Sequence, residues 1–371
     1  MERILLVMAD RHLGNLVVAS PVMTGIVQGL RERLIGLVVD SRLFPLVERI
    51  PGLAGVQIIP YRDRSARSSW DRVRQLWVLR RSLRSLRPSL ALDLEGNQAG
   101  AVLCWLSGAR ERAGPDTCRR ASFYTTAIPS KIGGHRVEQY AHLAQWLGID
   151  VADLRPRLQP TGEDHARWAA YAESVRLNPK RPFACLHVGG GRDLKCWPEQ
   201  RFAELTLRLA RLGVRAVLVG GRPDLDKAAR VASLGSRDMV NAVDSLTIGA
   251  LLAGLSRCAV FIGNDSGPAH LAAAVGTPVT VLFGPTAASE WAPLGPSVRV
   301  LRGELPLDRE LAVRWASDAR SMESIPLWAV ARTALRQAQV EGRCGPWLDP
   351  DAEHDAPRSD YPKALSLPVT A

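Results

Sequence analysis

The residues that put the most chemistry into the least chain are Asn264-Asp265-Ser266-Gly267-Pro268-Ala269-His270. An apolar run at 259–263 precedes them and a second, Val279–Phe283, follows, so the stretch reads as strand, tight turn, short helix and strand. Pro268 suits a first helical position, Gly276 suits the stop, and Asp265 or Ser266 can cap the first amides. A strand that feeds a helix N-terminus through a glycine-bearing turn makes an anion site, because unpaired N–H groups and the helix dipole converge there. His270 falls in the first turn, within reach of the same anion. The plainer account is a strand–helix–strand unit in which Asp265 and Ser266 only cap and His270 only covers surface.

Four other places carry candidate groups, each just past an apolar strand. Gly189-Gly190-Gly191 leads to Lys195, Trp197 and Pro198. This is neither a Walker A loop, lacking Gly-Lys-Ser/Thr, nor a dinucleotide fingerprint opening directly into a helix. Asp224 and Asp226 follow the strand at 216–219, where an acid can hold a ribose hydroxyl, and spacing does not choose between them. Near the start, Asp10-Arg11-His12-Leu13-Gly14-Asn15 follows the strand at 3–9 and precedes a helix expected from about Val17. Asp93-Leu94-Glu95-Gly96-Asn97 ends a further buried strand. Strands alternate with helices through both halves, the pattern of two doubly wound α/β domains.

Composition limits the partners. The 371 residues suit two domains, and an apolar share of 46% is ample for two cores. A net charge of +11, carried mostly by arginine, asks for an anionic partner: nucleic acid, an anionic membrane surface or a phosphorylated substrate. No zinc-finger, helix-turn-helix or RNA-binding signature favours nucleic acid. The region 61–87 is dense in arginine, including Arg62, Arg64 and Arg67, with Trp70 and Trp77 among them. It is either a solvated face with snorkelling stems or a phosphate-binding surface. Six cysteines without a C-x-x-C pair read as core thiols of a reducing compartment, and the histidines show no metal spacing. No run approaches a membrane span and the start is no signal peptide, which points to the cytoplasm.

The order Asn-Asp-Ser-Gly-Pro-Ala-His-Leu-Ala-Ala-Ala-x-Gly-x-Pro from Asn264, followed by Phe283-Gly284-Pro285-Thr286, resembles the signature of the family-9 glycosyltransferases. These are the ADP-heptose:lipopolysaccharide heptosyltransferases and their relatives. The glycine turn followed by Lys195-x-Trp197-Pro198-x-x-x-Phe202 is similar to their second signature. Leu13-Gly14-Asn15 with Ser20-Pro21, Asp93–Asn97 and the helix at 325–336 extend the likeness to about residues 3–340. The resemblance implies a GT-B fold, two Rossmann-like domains facing a cleft. Residues 1–160 would form the acceptor domain and 161–322 the donor domain; 323–340 would be a helix returning to the first domain, and 341–371 a disordered tail. It implies an inverting transfer from a nucleotide sugar, most simply ADP-heptose, to a hydroxyl of the lipopolysaccharide inner core. Donor contacts would come from Gly190, Gly191, Lys195, Asp224 or Asp226, Asp265, Ser266, Gly267, Pro268, Ala269 and His270. Acceptor contacts would come from Arg62, Arg64, Arg67, Glu95 and Arg120. Lys195 and the helix end would stabilise the leaving diphosphate with no metal and no resident cofactor. Peripheral contact with the cytoplasmic face of the inner membrane would bring enzyme and glycolipid together.

Two departures matter. The family has Asp, its favoured catalytic base, where this chain has Asn15, and an amide cannot take a proton. The base must then be His12, Asp10, Asp93 or Glu95. His12 is preferred over Asp10 because imidazole ordinarily titrates near pH 6.5, with Asn15 orienting the acceptor. The family's cysteine-bearing segment before the last helix is also missing at 302–321. A divergent branch with a small metabolite or protein acceptor, or a binder that has lost catalysis, is the alternative.

Overall fold

The structure, a computed structural model, describes residues 3–30, 32–61, 69–130, 133–304 and 320–343. Two six-stranded sheets organise the chain. The first runs in the order β3-β2-β1-β4-β5-β6, from β1 (Ile4–Met8), β2 (Leu34–Val39), β3 (Ile58–Pro60), β4 (Leu90–Asp93), β5 (Glu111–Pro115) and β6 (Thr126–Ile128). The second runs β12-β11-β10-β7-β8-β9, from β7 (Phe183–His187), β8 (Arg215–Leu218), β9 (Val240–Asn241), β10 (Val260–Asn264), β11 (Val279–Phe283) and β12 (Val298–Arg302). Every pairing is parallel. The central strands are buried on both faces, which is why they read as continuous apolar runs rather than alternations.

The helices are α1 (Leu13–Gly29), α2 (Phe44–Val47), α3 (Ser69–Ser85), α4 (Gln98–Ser107), α5 (Arg136–Trp146), α6 (Gly162–Ser174), α7 (Glu199–Arg211), α8 (Leu225–Leu234), α9 (Ile248–Arg257), α10 (Gly267–Ala274) and α11 (Ala288–Trp291). A short helix at Arg320–Glu323 and a last one at Leu327–Val340 complete the described chain. Strand order reverses between β1 and β4 in the first sheet and between β7 and β10 in the second. In open parallel sheets, ligands bind outside the carboxyl ends of the strands at that reversal. All five candidate clusters lie at or next to these two points.

The structure differs from the sequence reading in particulars. Helix α1 starts at Leu13, not near Val17, and runs through Pro21. Proline cannot donate to the carbonyl of Val17, but Ser20 Oγ donates to it at 2.7 Å, so the carbonyl is still satisfied. The last helix does not return to the first domain. Its buried residues Val330, Ala331, Ala334, Leu335 and Ala338 share a core with Ala184, Leu186, Val260 and Ile262 of the second sheet. That apolar face is where its burial is gained, and the second sheet supplies the matching surface. The edge strands β6, β9 and β12 are too short or too polar to have shown a period in the sequence. The proposed tail lies outside the described residues from 344 onward. Cys104, Cys118, Cys185 and Cys258 are buried free thiols, and Cys196 is half-buried.

The two halves meet through named contacts. Helix α1 packs on α10. His135 Nε2 lies 2.9 Å from the carbonyl of Ala292, and Arg49 forms an ion pair with Asp164 at 2.8 Å.

Candidate active site between the two sheets

At the second sheet's reversal, β7 ends and the chain turns through Gly189, Gly190 and Gly191. Two of these glycines are needed for different reasons. A Cβ on Gly189 would lie 1.9 Å from Asp224 Oδ1, and Gly191 has φ +72°. A single 3₁₀ turn, Asp193–Lys195, then carries Lys195 to Asp265, with Nζ 2.9 Å from Oδ2. Asn264, fully buried at the end of β10, holds the two loops together. Its Oδ1 accepts the Trp197 N–H at 2.9 Å, and its Nδ2 donates to the carbonyls of Val188 and Gly189 at 3.1 and 2.9 Å. Trp197, also buried, donates from Nε1 to the carbonyl of Ile325 at 2.9 Å and so anchors the start of the last helix.

Helix α10 opens with Pro268 in its first turn and no side-chain cap. The capping roles expected of Asp265 and Ser266 are not what the structure shows. Asp265 pairs with Lys195, while Ser266 Oγ donates to the carbonyl of Asn264 at 3.0 Å and meets His187 Nδ1 at 2.9 Å. No side chain therefore caps the first turn of α10, although the Ala269 N–H donates to the Ser266 carbonyl at 3.1 Å, and Asp265 holds Lys195 just ahead of the helix. A cation next to an open helix N-terminus suits a diphosphate that gains charge as it leaves.

His270 lies behind this loop. Burial pushes its imidazole down to about 4, so it is neutral at physiological pH. Its Nδ1 has no hydrogen-bond partner, and its ring closes on Gly14 of α1, where a Cβ would come within 3.1 Å of Cδ2. His270 thus forms a neutral wall between the halves and adds no charge to the anion site.

The structure separates Asp224 from Asp226. Asp224 sits between Gly189 and Gly220, accepts the Gly221 N–H at 3.0 Å and lies 3.3 Å from His187 Nε2. Burial works against its charge, but the His187 and Gly221 hydrogen bonds outweigh it and hold the carboxyl below its usual range. Asp226 is exposed in the first turn of α8, away from the glycine turn. Asp224, not Asp226, is the one lodged against the glycine turn. His187 was missed in the sequence. It is a buried residue ending an apolar strand, and only the fold shows that its two nitrogens link Asp224 to Ser266.

At the first sheet's reversal, the exits of β1 and β4 bring Asp10, His12, Asn15 and Glu95 together. The His12 backbone N–H and ring Nδ1 both reach Asp10 Oδ1, at 2.6 and 2.7 Å. Asn15 Nδ2 donates to Asp10 Oδ2 at 2.6 Å and lies 3.4 Å from Glu95 Oε1. Tyr140 donates its hydroxyl to Glu95 Oε2 at 2.6 Å, and Arg136 Nη2 reaches Oε1 at 3.1 Å. The Arg136 guanidinium in turn lies over the rings of Tyr140 and Trp291, the latter from the second half. Burial raises the Glu95 carboxyl to about 7; Arg136 opposes this and the charge of Asp10 adds to it. Asp93 is fully buried, bound by the Tyr124 hydroxyl at 2.6 Å and the Glu95 N–H at 3.0 Å, which makes it a structural acid out of a substrate's reach. Arg120 is exposed on the β5–β6 connection, where Cys118 Sγ touches the Asn97 carbonyl past the end of β4. Arg62, Arg64 and Arg67 lie outside the described residues. Of the partners of Glu95, Arg136 reads in the sequence only as added positive charge on a loop and Tyr140 only as part of a helix.

The two clusters adjoin. A Cβ on Gly267 would lie 3.2 Å from the Leu13 side chain, so the start of α1 rests on the start of α10. Among the described residues, no three His, Cys, Asp or Glu side chains gather so as to hold a metal ion.

Residues 76–313, more than half of the chain, match glycosyltransferase family 9 (heptosyltransferase). The chain belongs to this family. This family-9 enzyme is 26% identical over 294 residues to lipopolysaccharide heptosyltransferase 3 of Escherichia coli, covering 76% of this chain and 84% of that one. It is 27% identical over 295 residues to lipopolysaccharide heptosyltransferase 1 of Pseudomonas aeruginosa, covering 76% and 79%. The structure is similar to that of the E. coli ADP-heptose lps heptosyltransferase II, with a TM-score of 0.74 at 20% identity over 92% of this chain and 100% of that one. It is also similar to E. coli heptosyltransferase WaaC with ADP, at 0.68 and 21% identity over 92% and 100%. The fold is therefore GT-B, and the family-9 enzyme is a glycosyltransferase.

Proposed function

We propose that the enzyme transfers heptose from ADP-heptose to a hydroxyl of the lipopolysaccharide inner core, with inversion at the anomeric carbon. The observation that supports this best is the placement of Lys195 and the uncapped start of α10 at the second sheet's reversal, beside the acid cluster of the first. A donor with its diphosphate on α10 presents its sugar towards Asp10, Asn15 and Glu95. An acceptor hydroxyl activated from that side attacks opposite the departing diphosphate, and opposite-side attack inverts the centre. Asp224, held by His187 and Gly221, takes the ribose. Lys195 and α10 supply the positive charge, so the scheme calls for no resident cofactor. The nucleotide is tested by thermal shift with ADP-, UDP- and GDP-sugars. ADP-heptose should raise the melting temperature more than the others, and a preference for a UDP- or GDP-sugar contradicts the donor assignment.

The acceptor is a lipid, and α3 offers a surface for meeting it. Leu79 and Leu83 turn into the core. The opposite side carries Trp70, Val73 and Trp77, which are 83%, 59% and 59% exposed. Arg74, Arg81 and Arg84 surround them, with the Arg81 guanidinium over the Trp77 ring. Indoles prefer the headgroup level of a bilayer, and guanidinium groups pair with lipid phosphates. The protein should sediment with vesicles containing phosphatidylglycerol and far less with neutral ones. Trp70→Ala with Trp77→Ala should lower that affinity about tenfold or more, at about 25 cal/mol per Å² of apolar surface no longer buried. Equal sedimentation of variant and wild type would remove α3 from the membrane. No helix among the described residues is long and apolar enough to cross a bilayer.

A further inference from the structure

We infer that Glu95 is the general base that activates the acceptor hydroxyl, and that Asn15 is a positioning residue aiming it at the donor. The inference rests on the transfer reading above and deepens it. Glu95 follows β4 at the first sheet's reversal, and its side chain is 10% exposed, so it is enclosed without being sealed. Two of its neighbours hold it in place: Tyr140 donates to Oε2 at 2.6 Å and Arg136 reaches Oε1 at 3.1 Å. The third neighbour is Asn15 Nδ2, 3.4 Å from Oε1. Asn15 lies next to Gly14, which meets His270 on the donor helix. The amide also donates to Asp10 Oδ2 at 2.6 Å and so links the exits of β1 and β4. Position 15 holds an amide and position 95 a carboxylate, and the two side chains are in contact.

The charged groups facing Glu95 set its basicity. Asp10 from the exit of β1 and Asp93 on its own strand repel its charge, while Arg136 from α5 attracts it. Burial is the largest influence, and together they leave the carboxyl at about 7, close to the working pH that suits a general base. His12 is the rival, since Asp10 holds its Nδ1 at 2.7 Å and leaves Nε2 as the basic nitrogen, but its side chain is 64% exposed against 10% for Glu95. In the step itself, Glu95 takes the proton from the acceptor O–H as that oxygen bonds to the anomeric carbon. The bond from that carbon to the diphosphate oxygen breaks, and its electron pair leaves with the nucleoside diphosphate. The proton on Glu95 then passes to solvent.

The test uses the full chain with ADP-heptose and deacylated lipopolysaccharide core, following ADP release with and without acceptor. Wild-type turnover is read first; without it the transfer reading fails and Glu95 has no reaction to serve. Glu95→Gln, nearly isosteric, should lower kcat by about 10²–10⁴-fold, leave the ADP-heptose Kd unchanged and remove the acid limb of kcat/KM. Adding Asn15→Asp to that variant should restore at least about tenfold of the loss, by returning a carboxylate to the same cluster. Glu95→Asp, which keeps the charge for Arg136 but retracts it, should fall between. Wild-type kcat in Glu95→Gln overturns the assignment. So does a loss that tracks a lowered melting temperature and is not rescued by Asn15→Asp, because Glu95 is then only the buried partner of Arg136. Loss of the acid limb in His12→Ala alone gives the role to His12.

Discussion

Lys195→Ala should raise the transfer barrier by about 2–4 kcal/mol, roughly a 30- to 1,000-fold loss in rate. The ammonium is half of a partly buried pair with Asp265, whose side chain is 10% exposed. Removing it takes away the cation paired with Asp265 just ahead of α10 and leaves that carboxylate unpaired. Repulsion should therefore add to lost attraction, and the donor Kd should worsen together with kcat. Asp265→Asn in the Lys195→Ala background should recover part of the donor affinity, since the uncompensated charge is gone. Steady-state kinetics and donor titration on the three variants check this. Unchanged kinetics in Lys195→Ala would take the residue out of the site.

The second large effect is on stability. Asp164 begins α6 through a reciprocal cap with Thr161 and accepts from Arg49 Nη2 and Nε at 2.8 and 3.0 Å. Its side chain is 3% exposed and that of Arg49 14%, so the pair joining the two halves is largely shielded from solvent. The Arg49 hydrogen bond brings the carboxyl down to about 2, against about 3.9 in an unfolded chain. A depressed carboxylate contributes stability that is fully present above the unfolded pKa. It is lost as pH falls from about 4 through about 2. Asp164→Asn should cost about 2–3 kcal/mol at pH 7, and urea unfolding at pH 7 and near pH 3 measures it. The gap between variant and wild type should narrow at the lower pH. A gap that stays constant would mean that shape and hydrogen bonding, not charge, carry the contribution. Asp164 also explains Gly249 on α9, where a Cβ would lie 1.8 Å from Asp164 Oδ1.

Much of this was open to reading in the chain. The apolar runs of β1, β4, β7, β10 and β11 are long and unbroken, and each is followed at once by polar residues, so the ligand-facing ends of both sheets were visible. The edge strands were not, because β9 has two residues and β6 three, too few for any period to register. The start of α1 was misplaced because Pro21 suggested a helix opening nearby; the Ser20 hydroxyl that satisfies the stranded carbonyl is a three-dimensional compensation. Around the start of α10, the family resemblance pointed to Lys195 and Asp265, but not to their pairing, nor to Asn264 as the residue joining both loops. Asp224 and Asp226 are equivalent by spacing and differ only in which one the glycines at 189 and 220 admit. The preference for His12 followed from the ordinary chemistry of imidazole. What the sequence could not show is burial, which moves Glu95 into the range where imidazole normally works.

The central claim is that a sugar leaves ADP on α10 and reaches a core hydroxyl presented from the first sheet. Proton NMR of the purified enzyme with ADP-heptose and deacylated lipopolysaccharide core tests it most directly, by reading product linkage and released nucleotide together. One ADP should be released per glycosidic bond formed, with the new anomeric centre inverted relative to the donor. A product that retains the donor's configuration, or ADP-heptose left intact beside a competent acceptor, would contradict it.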